Sequence, residues 1–134
     1  MFKSKVKRES DQFLINKKLM EKLITKRNML IERAIEKSNQ KRDRFKSRGQ
    51  LSPRERLKAI LDPDTFFLEL YNMANYLVED TNPDTSIPGA NLIAGIGYIS
   101  GVKCMIMIDD SGIKAGAASE ATIDKALGLS LIHI

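Results

Sequence analysis

Two eight-residue apolar runs, Leu92–Ile99 and Val102–Asp109, stand on either side of Ser100-Gly101. A two-residue connection leaves such runs one way to pair, as an antiparallel hairpin. In the second run, Cys104 to Ile108 are apolar throughout. A strand apolar on both faces belongs inside a sheet, so this one is predicted to be a buried central strand. Gly95 and Gly97 lie within the first run. They lack the third glycine and the helix start of a dinucleotide fingerprint, and predict instead a strand bend or a close backbone approach. After the hairpin, Asp110–Ser119 is crowded with Gly, Ala and Ser. A loop so free of bulk lets a ligand come close to its backbone.

The first third of the chain has a different period. Met20, Leu23, Ile24, Arg27, Leu30, Ile31, Ala34 and Ile35 recur at three- and four-residue steps, which predicts one amphipathic helix over residues 10–44. Lys22/Lys26 and Glu32/Glu36 are like-charge pairs one turn apart, so the helix depends on a partner surface for its stripe. Gly49 breaks the basic connector that follows. Ser52, Pro53 and Glu55 then spell a capping box with proline at the first helical position. Leu57, Ile60 and Leu61 form the apolar face of this second helix, and Asp62-Pro63 ends it. Thr65–Leu70 reads as a short strand and Asn72–Ile87 as loop, with turns at Asn82-Pro83-Asp84 and Pro88-Gly89. A last helix begins at Ala121, with Glu120 and Asp124 early as the helix dipole prefers, and is expected to stop at Gly128.

Charge divides along the chain. Residues 1–58 hold 19 Lys and Arg against 7 Asp and Glu, a net of +12; residues 59–134 hold 3 against 10, a net of −7. A basic segment on an acidic body suits a nucleic-acid arm or a solvated helix docked on its own protein. Base-stacking aromatics are scarce in it, which disfavours nucleic acid. Apolar residues at 43% and charged residues at 29% are globular values and exclude chain-wide disorder. No apolar run approaches the ~20 residues of a membrane span. The basic start leads into no signal core, and Glu9 and Asp11 are too acidic for a transit peptide, so a cytoplasmic protein is expected. The single cysteine, Cys104, excludes an internal disulfide and is expected to be a buried structural thiol.

The familiar catalytic sets are missing: no Gly-x-Ser-x-Gly elbow, no Walker loop, no His-carboxylate cluster with metal spacing. Asp109 and Asp110 are adjacent at a strand end, point to opposite faces and suit a turn or helix cap better than shared acid-base work.

A set of words in fixed order carries a resemblance: Arg48-Gly49, Pro53-Arg54-Glu55-Arg56-Leu57, Leu61-Asp62-Pro63, Phe67-Leu68-Glu69-Leu70, Ser86-Ile87-Pro88-Gly89, Gly95-Ile96-Gly97, Ser100-Gly101 and Asp110 to Ala117. Over residues 45 to 128 the chain resembles the N-terminal part of the carboxyltransferase (beta) subunit of biotin-dependent acyl-CoA carboxylases, nearest the geranyl-CoA and methylcrotonyl-CoA branch. The resemblance implies an α/β fold: a partial crotonase-like ββα-spiral domain over 51–128, preceded by a basic helical arm over 1–50. It implies transfer of a carboxyl group from carboxybiotin to an acyl-CoA, with enolate and ureido charge stabilised by backbone N–H groups rather than by side chains. The acyl-CoA loop would be Gly112, Lys114, Ala115, Gly116 and Ala117, Lys114 serving the CoA phosphates. No catalytic side chain and no metal ligand is assigned. Arg54 and Arg56 match the family's words but are expected to be surface or ion-pair residues.

The partners implied are the acyl-CoA substrate, a biotin carboxylase and biotin carrier subunit that brings the biotin, and further copies of the same subunit. The match covers about a quarter of the family's chain, so these 134 residues alone are expected to be inactive. Residues 129–134, Leu-Ser-Leu-Ile-His-Ile, are what a transposase adaptor encodes and are expected to be non-native, which leaves His133 without chemistry. Two rival readings are a basic helical adaptor or nucleic-acid-binding protein, resting on residues 1–58, and a small free-standing CoA-binding module. The apolar hairpin counts against the first and its exposed sheet edges against the second.

Overall fold

The computed structural model describes residues 4–131. The long helical pattern resolves into α1 (Asp11–Asn39) and a short α2 (Arg42–Ser47), not one helix to residue 44. Ser10 caps α1 by accepting from the Phe13 N–H. The break falls at Gln40–Lys41, where Lys41 N turns back to Ser38 O. At 29 residues α1 is about 43 Å long. Only its last third is packed: Leu30, Ala34 and Ser38 are buried, whereas Leu14, Leu19, Met20, Leu23 and Ile24 stay exposed. Arg33 ties that third to the Asn72–Ile87 loop, donating to Pro83 O at 2.8 Å and Ser86 O at 3.0 Å.

The second helix, α3 (Pro53–Ile60), starts with the capping box read from its sequence. Glu55 Oε2 accepts from Ser52 N at 2.9 Å, and Arg42 reaches across from α2 to Glu55 Oε1 at 2.6 Å. The Ser52 hydroxyl and N–H, then Arg42, hold the Glu55 carboxyl down at about 2.

The sheet has three strands in the order β1-β2-β3: β1 (Leu68–Glu69), β2 (Leu92–Ile99) and β3 (Val102–Asp109). Both pairings are antiparallel, and the hairpin register closes at Ile99 opposite Val102. Ser100 and Gly101 take positive φ of 51° and 76°, and both turn N–H groups donate to the Asp62 carboxylate at 2.7 Å. The close approach expected at Gly95 and Gly97 is present: a Cβ on Gly95 would lie 2.5 Å from the Phe67 ring, and one on Gly97 2.5 Å from Leu61 Cδ2.

Side chains alternate across β2, so the sheet carries a core on each face. On one, Leu57 of α3 packs with Ile93 and Ile106, flanked by Leu61, Phe67 and Cys104. On the other, Leu92 and Ala94 meet Leu129 of α5 (Glu120–Leu131), with Leu70, Met105 and Ala126 around them. Three expectations are corrected here. The central strand is β2, and β3 is the edge strand, with Val102, Lys103 and Met107 exposed. Ile106 still packs into the first core, but no described strand pairs with the outer edge of β3, so Val102 and Met107 stay exposed. Cys104 is accordingly half-buried rather than buried. Gly128 does not end the last helix; α5 runs on to Leu131 because Leu129, 1% exposed, anchors that turn in the second core. Ile132, His133 and Ile134 lie outside the described residues. Among the described residues no helix is long and apolar enough to cross a membrane.

Candidate functional site

Three elements converge where β3 ends: the C-terminal third of α1, the Pro88–Asn91 turn, and the short helix α4 (Ser111–Lys114). Asp110 joins them. Its backbone N donates to Asn91 O at 2.7 Å, and its Oδ1 accepts from Ser38 Oγ at 2.6 Å and from Gly112 N at 3.2 Å. The bond from Gly112 N is the cap role read for the residue, and the bond from Ser38 adds a contact from 72 positions away in the chain. Burial pushes the Asp110 carboxyl above its ordinary range, against the pull of those two donors. Gly112 is required by the same contact, because a Cβ there would stand 2.5 Å from Ser38 Oγ and 2.7 Å from Ser38 O.

Beside Asp110 lies a half-buried polar group. Arg54 and Glu69 form a two-pronged ion pair at 3.1 and 3.2 Å, the ion-pair role expected of Arg54. Arg56 is exposed, the other half of that expectation. Arg54 Nε and Asn91 Nδ2 are buried and have no partner among the described residues. Lys125 of α5 is 2% exposed and points its ammonium at two carbonyls, Gly89 O at 3.1 Å and Leu92 O at 2.5 Å. Loss of water lowers the Lys125 pKa to about 8. Ala90 and Asn91 have positive φ of 51° and 54°, and Lys125 clamps the carbonyls on either side of them. A single lysine within an apolar helical pattern carries no sign of this task, and neither does Ser38.

The small-residue loop leaves α4 through two left-handed residues, Ala115 at φ 53° and Gly116 at φ 84°. Successive right- and left-handed residues turn their N–H groups the same way, a concavity suited to negative charge. Ala117 N turns back to Lys114 O. The N–H groups of Gly116 and Ala118 have no acceptor among the described residues, and both residues are exposed. Of the five residues assigned to the loop, Gly112 is therefore buried beneath it, while Ala115, Gly116 and Ala117 form its exposed rim. Lys114 is ion-paired with Glu79, whose carboxyl is lowered by Lys114 and by Ser119. Glu79 also lines a cleft of 540 Å³ between the Tyr71–Glu79 segment and α5, with Tyr71, Ala74 and Val78 on the same wall. Glu120, Asp124 and Lys125 line its other wall.

The chain belongs to the carboxyl transferase domain family, whose model matches residues 44–134. It is 40% identical over 100 residues to the biotin-dependent 3-methylcrotonyl-coenzyme A carboxylase beta1 subunit of Mycobacterium tuberculosis, covering 75% of this chain and 18% of that protein. It is 35% identical over 124 residues to the mitochondrial methylcrotonoyl-CoA carboxylase beta chain of Arabidopsis thaliana, covering 91% of this chain and 20% of that one. The structure superposes on the beta subunit of Pseudomonas aeruginosa geranyl-CoA carboxylase with a TM-score of 0.84 at 35% identity, over 98% of this chain and 24% of that chain. The chain thus spans about a fifth of the length of these relatives. The long α1 and the small antiparallel sheet are parts of that shared fold.

Proposed function

We propose that this chain supplies acyl-CoA-binding structure to the carboxyltransferase subunit of a biotin-dependent acyl-CoA carboxylase, with residues 51–128 opening a crotonase-like ββα-spiral domain. The observation that carries the reading is the exposed turn at Ala115-Gly116, which follows β3 after the single turn of α4 and is based on Asp110 and Gly112. Exposed N–H groups without an acceptor among the described residues, as at Gly116 and Ala118, suit a thioester oxygen that gains charge as the acyl-CoA becomes an enolate. Biotin, brought by a carrier partner, supplies the carboxyl group, and no residue of this chain is assigned to it. Gly112, Lys114, Ala115, Gly116 and Ala117 are the acyl-CoA loop in this reading. Lys114 reaches a CoA phosphate only by exchanging Glu79 for it.

The test is direct binding of acyl-CoA and acyl-pantetheine to the chain by calorimetry. Gly116→Val, which places a β-branched residue at φ 84°, is expected to weaken both ligands at least fivefold without shifting the thermal midpoint of α/β unfolding by more than a few degrees. Equal binding by parent and variant returns the loop to a packing connection. The 134 residues are expected to bind without turnover: with biotin carboxylase and carrier subunits, ATP and labelled bicarbonate, label in the acyl-CoA at the level of a no-protein control is the expected result. Oligomerisation through further copies belongs to the same reading.

A further inference from the structure

The first two-thirds of α1 carry a face that nothing among the described residues covers. Leu19, Lys22, Leu23 and Lys26 follow one another at three- and four-residue steps, so they share that face, and all four are exposed, Leu23 by 61%. Seven positions past Leu23 the same face reaches Leu30, which is buried. Lys22 and Lys26 have no acidic partner within ion-pair distance among the described residues, and like charges one helical turn apart repel. The 540 Å³ cleft beside α5 has the opposite character. Tyr71, Ala74 and Val78 give it an apolar wall, with Val78 67% exposed. Across from them stand Glu120 and Asp124, also one turn apart, also exposed, and also without a partner of opposite charge among the described residues. The two other charges on the cleft are already answered: Glu79 by Lys114, and Lys125 by the carbonyls of Gly89 and Leu92.

We propose that these two surfaces meet between copies of the chain: α1 of one copy lies on the cleft of a second, with Leu19 and Leu23 against Tyr71 and Val78, and with Lys22 and Lys26 facing Glu120 and Asp124. The occupant is a second copy because α1 is one unbroken helix from Asp11 to Asn39 whose last third is packed against its own body, so residues 19–26 do not turn back onto the same chain. The match is in charge and in spacing. Each surface sets two uncompensated charges of one sign beside bare apolar side chains, and within each pair the charges are one turn, ~5–6 Å, apart. Contact relieves the repulsion within both pairs and removes apolar area from water on both sides. Since every copy carries both surfaces, exchange of the two helices about a two-fold axis closes a dimer in which the contact is made twice. This gives a surface to the oligomerisation proposed above and rests on it, not on the acyl-CoA loop.

The experiment is sedimentation equilibrium of the 134-residue chain in dilute buffered salt, with far-ultraviolet circular dichroism to show that each variant keeps its helices. Lys22→Glu/Lys26→Glu and, separately, Glu120→Lys/Asp124→Lys are each expected to weaken self-association at least tenfold. An equimolar mixture of the two variants offers an acidic α1 to a basic cleft and a basic α1 to an acidic cleft, and is expected to associate within about threefold of the parent. Lys7→Glu/Arg8→Glu reverses the same charge ahead of α1 and is expected to change association less than twofold; an equal loss there means a diffuse field and overturns the contact. Association indifferent to both reversals overturns this surface and leaves oligomerisation standing, whereas a parent that stays monomeric removes both. Loss on each reversal without recovery in the mixture overturns the pairing of α1 with the cleft. A lipid surface is the other occupant a basic apolar helix face could take. Binding to vesicles of one part phosphatidylserine to three parts phosphatidylcholine that Lys22→Glu/Lys26→Glu abolishes, with self-association unchanged, assigns the face to lipid and overturns the proposal.

Discussion

At the scale of single residues, Asp110 bears the greatest structural demand. It is a buried carboxylate whose Oδ1 satisfies both a side chain of α1 and the first turn of α4. Asp110→Ala strands the Ser38 hydroxyl and uncaps α4, and is expected to cost about 2–3 kcal/mol in urea unfolding. Asp110→Asn keeps an acceptor oxygen and sheds a buried charge, so its cost is expected to stay within about 1 kcal/mol. Because the folded pKa is raised, the native state binds more protons than the unfolded chain just above pH 3.8. Asp110 therefore subtracts stability as pH rises through that window, and the difference between parent and Asn variant is expected to shrink on acidification. Lys125 works in the alkaline range. Its folded pKa of about 8 lies below the free value of 10.5, so the unfolded chain binds the extra proton between these values. Stability from this group is expected to rise from about pH 8 to 10.5, by at most about 1.4 kcal/mol per pH unit. Lys125→Met should flatten that rise in a pH series of denaturation midpoints; an unchanged slope contradicts the buried ammonium.

Among the elements, α3 is the most legible in the amino-acid order. Ser52, Pro53 and Glu55 state its start locally, and the capping box they spell is present. Ser52→Ala is expected to cost about 1 kcal/mol. Glu55, depressed to about 2, contributes stability that is complete above its ordinary 4.5 and is lost as pH falls from there toward 2. Glu55→Gln should remove that acid dependence; a parent whose stability is flat between pH 5 and 2.5 would sink the assignment. The hairpin is equally legible, since a two-residue loop sets its register. Helix α1 is legible as a helix but not in its burial. Periodicity marks which side chains share a face, and says nothing of where along 43 Å that face meets a neighbour.

For the whole molecule, two apolar surfaces among the described residues stand uncovered: the outer edge of β3 and the stripe of Met20, Leu23 and Ile24 on α1. Unpaired strand edges and apolar stripes recruit other chains. Sedimentation of the 134-residue chain is expected to show concentration-dependent association, reduced by Met107→Lys on β3 and by Leu23→Lys on α1. A species monomeric at all concentrations would contradict this.

What the amino-acid order determined by itself is everything set within a few residues: the hairpin and its turn, the capping box, the small-residue loop, and the ordered words that mark the family. Those depend on turn chemistry, side-chain period and local hydrogen bonds, which neighbours in sequence decide between themselves. Tertiary structure decided the rest. It set β2 rather than β3 at the centre, because strand order depends on which strand β1 pairs with. It carried α5 past Gly128, because burying Leu129 outweighs one glycine's helix preference. It brought Ser38 to Asp110 and Lys125 to Gly89 across 72 and 36 residues, contacts that only packing at a distance can make. It also sorted the basic residues, pairing Arg42, Arg54 and Lys114 with acids and leaving Lys41, Arg44, Arg48 and Arg56 without an acidic partner among the described residues. Net charge is a property of composition; which charges remain available to a ligand is decided by the folded neighbours that reach them first.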